Sequence, residues 1–197
     1  MSGYLGNVLI ASNLTAGVRD HFKKWQETYL AEVERLTERD ARALPLIKHY
    51  SFKNELDKFP EERLPAMVIV TPGVAEGSIE REGDGAYSAS WDLGIAIVVG
   101  SNSEIATSEL RDAYAAATRT LFLQHPAIGD IGVVEEWLDE NYDDLPVDAT
   151  RTLAAVQLIF RVRTEVVLEA AEGTAEPLDD PYDEYQHPTV EETEIVA

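Results

Sequence analysis

The sequence predicts an α+β domain: a mixed, mostly antiparallel sheet of about five strands, two main helices packed on it, and an acidic tail. Three observations predict it. From Tyr87 onward, Tyr87, Ala89, Trp91, Leu93, Ile95, Ile97 and Val99 alternate with Ser88, Ser90, Asp92, Gly94, Ala96, Val98 and Gly100. Large apolar groups on one side and small ones on the other is the period-2 pattern of a strand. Directly after it, Ala106, Leu110, Ala113, Tyr114, Ala117 and Leu121 recur at helical spacing. Upstream, Val18, Phe22, Trp25, Tyr29, Val33 and Leu36 form a second helical stripe, spaced by three or four.

In chain order, residues 1–14 read as an N-terminal arm, and residues 15–169 as a single domain. The first helix is expected from about Thr15 to Arg39, with Asn13 or Thr15 as its N-cap. Its stripe is too short for a coiled coil and suits packing on a sheet. Pro45 closes the next connection, and residues 46–53 read as a strand with Tyr50 and Phe52 on one face and Ile47 and His49 on the other. The charged residues 54–63 read as a loop. Residues 66–71 are a continuous apolar run, the pattern of a strand covered on both sides, which Thr71-Pro72-Gly73 should end.

Residues 74–86 form a polar connection with glycines at 77, 83 and 85, longer than a tight hairpin turn. Ser101 to Glu104 has the spacing of a capping box for the second helix, which His125-Pro126 should stop. A short strand over 132–138 and an acidic loop over 139–150 are expected next. A long strand then covers 153–168, with Ala154, Val156, Leu158, Phe160 and Val162 on one face and Gln157, Arg161 and Arg163 on the other. Fully extended, that strand would span roughly 50 Å, so it should bend or leave the parent sheet. The second face of the sheet, small and charged, is expected to be wet or shared with another subunit.

Composition narrows the function. The chain has 197 residues, 45% of them hydrophobic, which is enough for one domain with a real core. Cysteine is absent, so disulfides, thiolate chemistry and cysteine metal sites are excluded. The N-terminus lacks the basic region of a signal peptide, and no apolar run approaches the ~18 residues of a membrane span. A soluble protein made in a cytoplasm is the expectation. The formal charge of −21 opposes tight binding to nucleic acid. It does not oppose a role as a conduit for DNA, since a negative lumen repels a negative polymer. Residues 170–197 hold nine acids, no Lys or Arg, and Pro177, Pro181 and Pro188. They read as a disordered tail or a strap that orders on a neighbouring subunit.

Catalytic chemistry finds no support. His21, His49, His125 and His187 lack metal-ligand spacing, and no hydrolase elbow, zinc helix or phosphate loop is present. Asp139, Asn141 and Asp143 fit three positions of a calcium loop, but Asp144 stands where Gly is needed and Thr150 where a bidentate Glu is needed. Glu135 and Glu136 are adjacent, so on a regular strand they point to opposite faces and do not cooperate. Neither a metal, nor a cofactor, nor a catalytic residue is expected. The compact basic features are Lys23-Lys24 and Arg161-x-Arg163. The second pair shares a strand face, and an ion pair across strands or between subunits is its natural use.

The order of elements resembles a known family. An amphipathic helix is followed by an apolar strand after a proline (Leu64-Pro-Ala-Met-Val-Ile-Val), a Gly-containing loop and a Trp-bearing strand (Tyr87-Ser-Ala-Ser-Trp-Asp-Leu-Gly-Ile-Ala-Ile-Val-Val). A small polar cap leads into an Ala-rich helix (Ser108-Glu-Leu-Arg-Asp-Ala-Tyr-Ala-Ala-Ala), then a Val-Val-x-x-Trp strand and a long final strand. Over about residues 15–169 this resembles the tail terminator proteins of long-tailed bacteriophages. The resemblance implies a structural virion protein, assembled in the host cytoplasm. It would form a hexameric ring capping the head-proximal end of the tail tube, stopping its polymerisation and meeting a head-side connector. It also implies that the 74–86 loop faces a ring neighbour, with Ile79, Glu80, Arg81 and Glu82 among the contacts. Arg161 and Arg163 are the second candidate surface. The alternatives are another neck component, such as a stopper or adaptor, and a small acidic cytoplasmic enzyme or binding domain.

Overall fold

The computed structural model describes residues 6–41, 43–52, 63–81, 87–145 and 152–164. Two helices, α1 (Gly6–Leu36) and α2 (Glu104–Gln124), pack on one face of a seven-stranded sheet. The strands are β1 (His49–Ser51), β2 (Ala66–Val74), β3 (Glu80–Arg81), β4 (Tyr87–Ser101), β5 (Ala127–Ile128), β6 (Gly132–Leu145) and β7 (Thr152–Thr164). The sheet order is β1-β2-β4-β7-β6-β5, with β3 added beside β4. Among the described strands only β1 and β2 run parallel, so the α+β, mostly antiparallel class holds.

The centre is the β4–β7 pair. It runs in unbroken register from Ala89↔Thr164 to Ser101↔Thr152. Trp91, Leu93, Ile95, Ile97 and Val99 therefore lie beside Val162, Phe160, Leu158, Val156 and Ala154, all buried under the helices. From α1, Leu14, Val18, Phe22, Tyr29 and Leu30 reach this layer, and from α2, Ala113, Tyr114, Ala117, Leu121 and Phe122. Phe122 meets Phe160 at 5.2 Å between ring centres. The Trp91 indole N–H donates to Thr164 Oγ1 at 2.9 Å, so the one polar atom of this buried ring is satisfied.

Several expectations need correction. Helix α1 begins at Gly6, so Thr15 is a buried interior residue rather than a cap, and Leu36 is 64% exposed. The helix ends without glycine: Glu38 takes φ 54°, and the Arg39 N–H reaches back to Glu34 O at 2.9 Å, a Schellman-type closure. The capping box does not form, because α2 starts at Glu104 and Ser103 is the N-cap. The Ser101 N–H instead donates to Thr107 Oγ1 at 3.1 Å, and the Thr107 hydroxyl donates to Ser103 O at 2.8 Å. Pro72 and Gly73 lie within β2 at an irregularity rather than ending it.

Strand β1 is only three residues long, since α1 side chains hold the chain before it. The Gln26 amide accepts from the Ile47 N–H at 2.9 Å and donates to Ile47 O at 3.3 Å. Glu34 accepts from the Leu44 N–H at 2.7 Å, and the Tyr114 hydroxyl donates to Pro45 O. Backbone held by side chains in this way has no need of a ladder partner.

The largest correction concerns β6. The acidic loop expected from residue 139 is strand as far as Leu145, paired to β7 up to Leu145↔Leu153. Asp, Glu and Asn are poor strand formers alone, and the full-length partner overrides that preference. Strand β7 runs about 43 Å at ~3.3 Å per residue and stays within the sheet over its described length. Residues 165–169, the loop segment 82–86 and the tail lie outside the described residues.

Candidate functional site

The second face of the sheet is divided. At one end Ala66, Val68, Ala96, Val98, Leu153 and Ala155 are buried within the chain itself. Leu64 contributes to this cover, since a Cβ on Gly100 would stand 2.9 Å from its Cδ1. At the other end, strand alternation places Ser88, Ser90 and Asp92 of β4 beside Arg161 and Arg163 of β7. The register pairs Ser90 with Arg163 and Asp92 with Arg161.

These residues form a charged ladder across four strands. Arg161 grips Asp92 with two parallel bonds, Nε to Oδ1 at 2.9 Å and Nη2 to Oδ2 at 3.2 Å, the fork geometry that suits guanidinium to carboxylate. Glu136 of β6 lies 3.9 Å from the same guanidinium. The Asp92 bond raises the Arg161 pKa, while desolvation opposes it. Arg163 donates to Glu80 of β3 at 3.2 Å and to the Ser88 hydroxyl at 3.1 Å, with Glu135 at 3.9 Å. The Ser90 hydroxyl donates to Glu135 Oε2 at 3.0 Å. Two guanidinium groups thus face four carboxylates, and the surface keeps a negative excess.

Glu135 and Glu136 reach the same face, contrary to expectation. The register with β7 shifts between Val134 and Glu136, leaving Glu135 as an extra residue. A bulge of this kind breaks the strict alternation of faces. The approach of β6 to β7 is tight here, since a Cβ on Gly132 would stand 2.7 Å from Arg163 O. A cleft of about 420 Å³, lined by Gly129, Asp130, Ile131, Val133, Glu135 and Arg163, opens beside the ladder.

Of the residues singled out in the sequence, Glu80, Arg161 and Arg163 come together. Ile79 sits next to them, 61% exposed. Arg81 pairs through its backbone with Tyr87, its side chain lies outside the described residues, and so does Glu82. Four contributors were missed. Asp92, Glu135 and Glu136 carried no signal beyond acidity. Ser78, whose hydroxyl lies 2.8 Å from Ala75 O and 3.0 Å from Ser90 O and accepts from the Ser90 N–H at 3.1 Å, fixes the start of the 74–86 connection. Gly77, at φ 71°, makes the turn that brings Ser78 there.

A second cleft, about 540 Å³, lies between α1 and the end of α2 and is lined in part by Asp20, His21, Lys24, Trp25, His125 and Asp130. His125 stacks on Trp25 at 3.8 Å between ring centres. His21 is buried, and its Nε2 has no hydrogen-bond partner among the described residues. Burial pushes its pKa below the ordinary imidazole range, a hydrogen bond to the His125 backbone opposes this, and the charges of His125 and Lys24 add to it. Among the described residues no group of three or more His, Asp or Glu is placed to hold a metal ion, and no helix is long and apolar enough to cross a membrane.

No protein-family model matches the chain, and no curated protein matches it. Among solved structures, a chain described as "Virion of native gene transfer agent (GTA) particle" is similar at a TM-score of 0.39 and 17% identity. The match covers 68% of this chain and 92% of that one.

Proposed function

We propose that this chain is a ring-forming tail terminator of a long-tailed bacteriophage. Six copies close into a hexamer on the head-proximal end of the tail tube, stop its growth and present a surface to the head-side connector. The observation that carries the reading is the exposed ladder on the sheet face opposite the helices. Its rim residues, Ile79 and Glu80, begin the segment that the family resemblance assigns to the ring neighbour. A ring needs a heterologous contact whose rotation closes, one patch meeting a different patch on the next copy. An exposed apolar side chain beside a partly neutralised charge lattice supplies one such patch. The contact residues in this reading are Ile79, Glu80, Arg81 and Glu82, with Arg163 bonded to Glu80 and Arg161 on the same face of β7. The acidic balance of the chain lets DNA pass through the lumen without adhering. No residue has a catalytic role in this reading, and neither metal nor cofactor takes part.

The test is deletion of the gene followed by electron microscopy of the lysate. The terminator reading requires overlong tubes unattached to heads. Tails of normal length beside leaking heads would move the chain to a stopper or adaptor position in the neck. A monomer absent from virions that turns over a small substrate would overturn both assignments.

A further inference from the structure

Strand β6 has a partner along its whole length on one side only. On the other side β5 pairs with Gly132 and Val133, and the Val134 N–H reaches Pro126 O at 2.8 Å. From Glu135 to Leu145 no described strand lies beside it. An edge of this length presents a row of unpaired N–H and C=O groups, a template for another chain.

The edge is not uniform. At the second register shift, between Trp137 and Asp139, side chains occupy the backbone. The Trp137 indole N–H donates to Asp139 O at 3.0 Å, the Asp139 carboxylate accepts from the Glu140 N–H at 2.8 Å, and the Asn141 amide donates to the same carboxylate at 2.9 Å. The first two bonds occupy the 139–140 peptide, and the third braces the Asp139 carboxylate. Beyond them, residues 141–145 have no such cover among the described residues. Tyr142 is 46% exposed there and lies under the Arg111 guanidinium, 4.9 Å from its ring centre.

We propose that residues 141–145 of β6 take up an added antiparallel strand from a basic segment of another protein. Charge decides the occupant. Residues 141–145 hold Asp143 and Asp144 and no Lys or Arg, whereas Glu135, Glu136 and Glu140 of the same strand already face Arg163, Arg161 and Arg119. A second copy pairing antiparallel through residues 141–145 would set Asp143 opposite its own counterpart, and like charges placed opposite each other across strands are destabilising. Residues 170–197 of a neighbouring copy, with nine acids and no Lys or Arg, meet the same repulsion. An incoming strand with Lys or Arg at alternate positions gains both the ladder and the charge pairing, as in other strand-addition complexes. The inference stands on the edge alone and is independent of the ring reading.

The probe is a seven-residue peptide alternating Lys and Val, added to the full chain, with amide hydrogen exchange as the readout. The expected result is slowing of exchange at 141–145 by about tenfold or more, weakening as salt is raised. A peptide of the same composition interrupted by Pro, and one with Glu in place of Lys, should leave these amides unchanged, and Asp143→Lys should weaken the effect of the basic peptide. Equal slowing by the Pro-interrupted peptide would show charge attraction without strand pairing and overturn the proposal. So would slowing confined to other strands, no slowing at millimolar peptide, or self-association of the chain through β6.

Discussion

Strands β4 and β6 flank the same strand, β7, and obey different rules. The β4–β7 ladder keeps one register throughout, and Trp91, Leu93, Ile95, Ile97 and Val99 of β4 all land on the helix face. The β6–β7 ladder shifts twice, and the shifts decide where its carboxylates go. Glu135 and Glu136 join the charged ladder on one face, whereas Glu140 turns to the helix face and pairs with Arg119 at 2.7 Å. Arg119 in turn covers the Trp137 ring at 4.8 Å. A regular strand carries the information of its own alternation. A bulged one hands that information to its partner.

Four substitutions sharpen this contrast. Phe160, fully buried and shared by both ladders, is the largest test. Phe160→Ala should cost about 3–5 kcal/mol in a denaturant titration, and a loss below about 1 kcal/mol would mean that the layer beneath α2 is not packed as described. Gly132→Ala tests the bulged side alone. Its Cβ meets backbone rather than a flexible side chain, so a cost of about 1–3 kcal/mol is expected. An unchanged melting temperature would show that the start of β6 can move away from β7. Arg161→Ala and Arg163→Ala should each leave the melting temperature nearly unchanged, because their pairs are partly solvated. Any loss of assembly in those variants is then a surface effect, and size-exclusion chromatography alongside thermal melts separates the two.

The same contrast explains what was legible in the sequence. The β4 faces, the β7 faces and the α2 stripe could be read because an unbroken period maps residue number onto direction. The β6 strand could not, since its residues disfavour strands locally and its two bulges shift the parity. The Gln26 and Glu34 clamps on Ile47 and Leu44 were invisible, because a polar residue within a helix looks the same whether it faces water or a buried backbone. Of the candidate surface, the Arg161-x-Arg163 pairing could be anticipated as a shared strand face. Its acid partners could not, since they come from three other strands and only the three-dimensional register brings them together.

The buried imidazole between the helices has a thermodynamic consequence of its own. His21 belongs to α1 and tilts against Phe122 of α2, 5.5 Å between ring centres. With its pKa lowered in the folded chain, the unfolded chain binds the extra proton first as acid is added. By proton linkage, its contribution to the α1–α2 contact is therefore complete above the ordinary imidazole pKa near ~6.5 and declines as the pH falls from there toward the lowered folded value. Denaturant midpoints measured from pH 7.5 down to 5.5 should fall, and His21→Gln should flatten that slope. The proton thus acts on this fold as a weak ligand of the unfolded state, competing with the packing of one helix on the other.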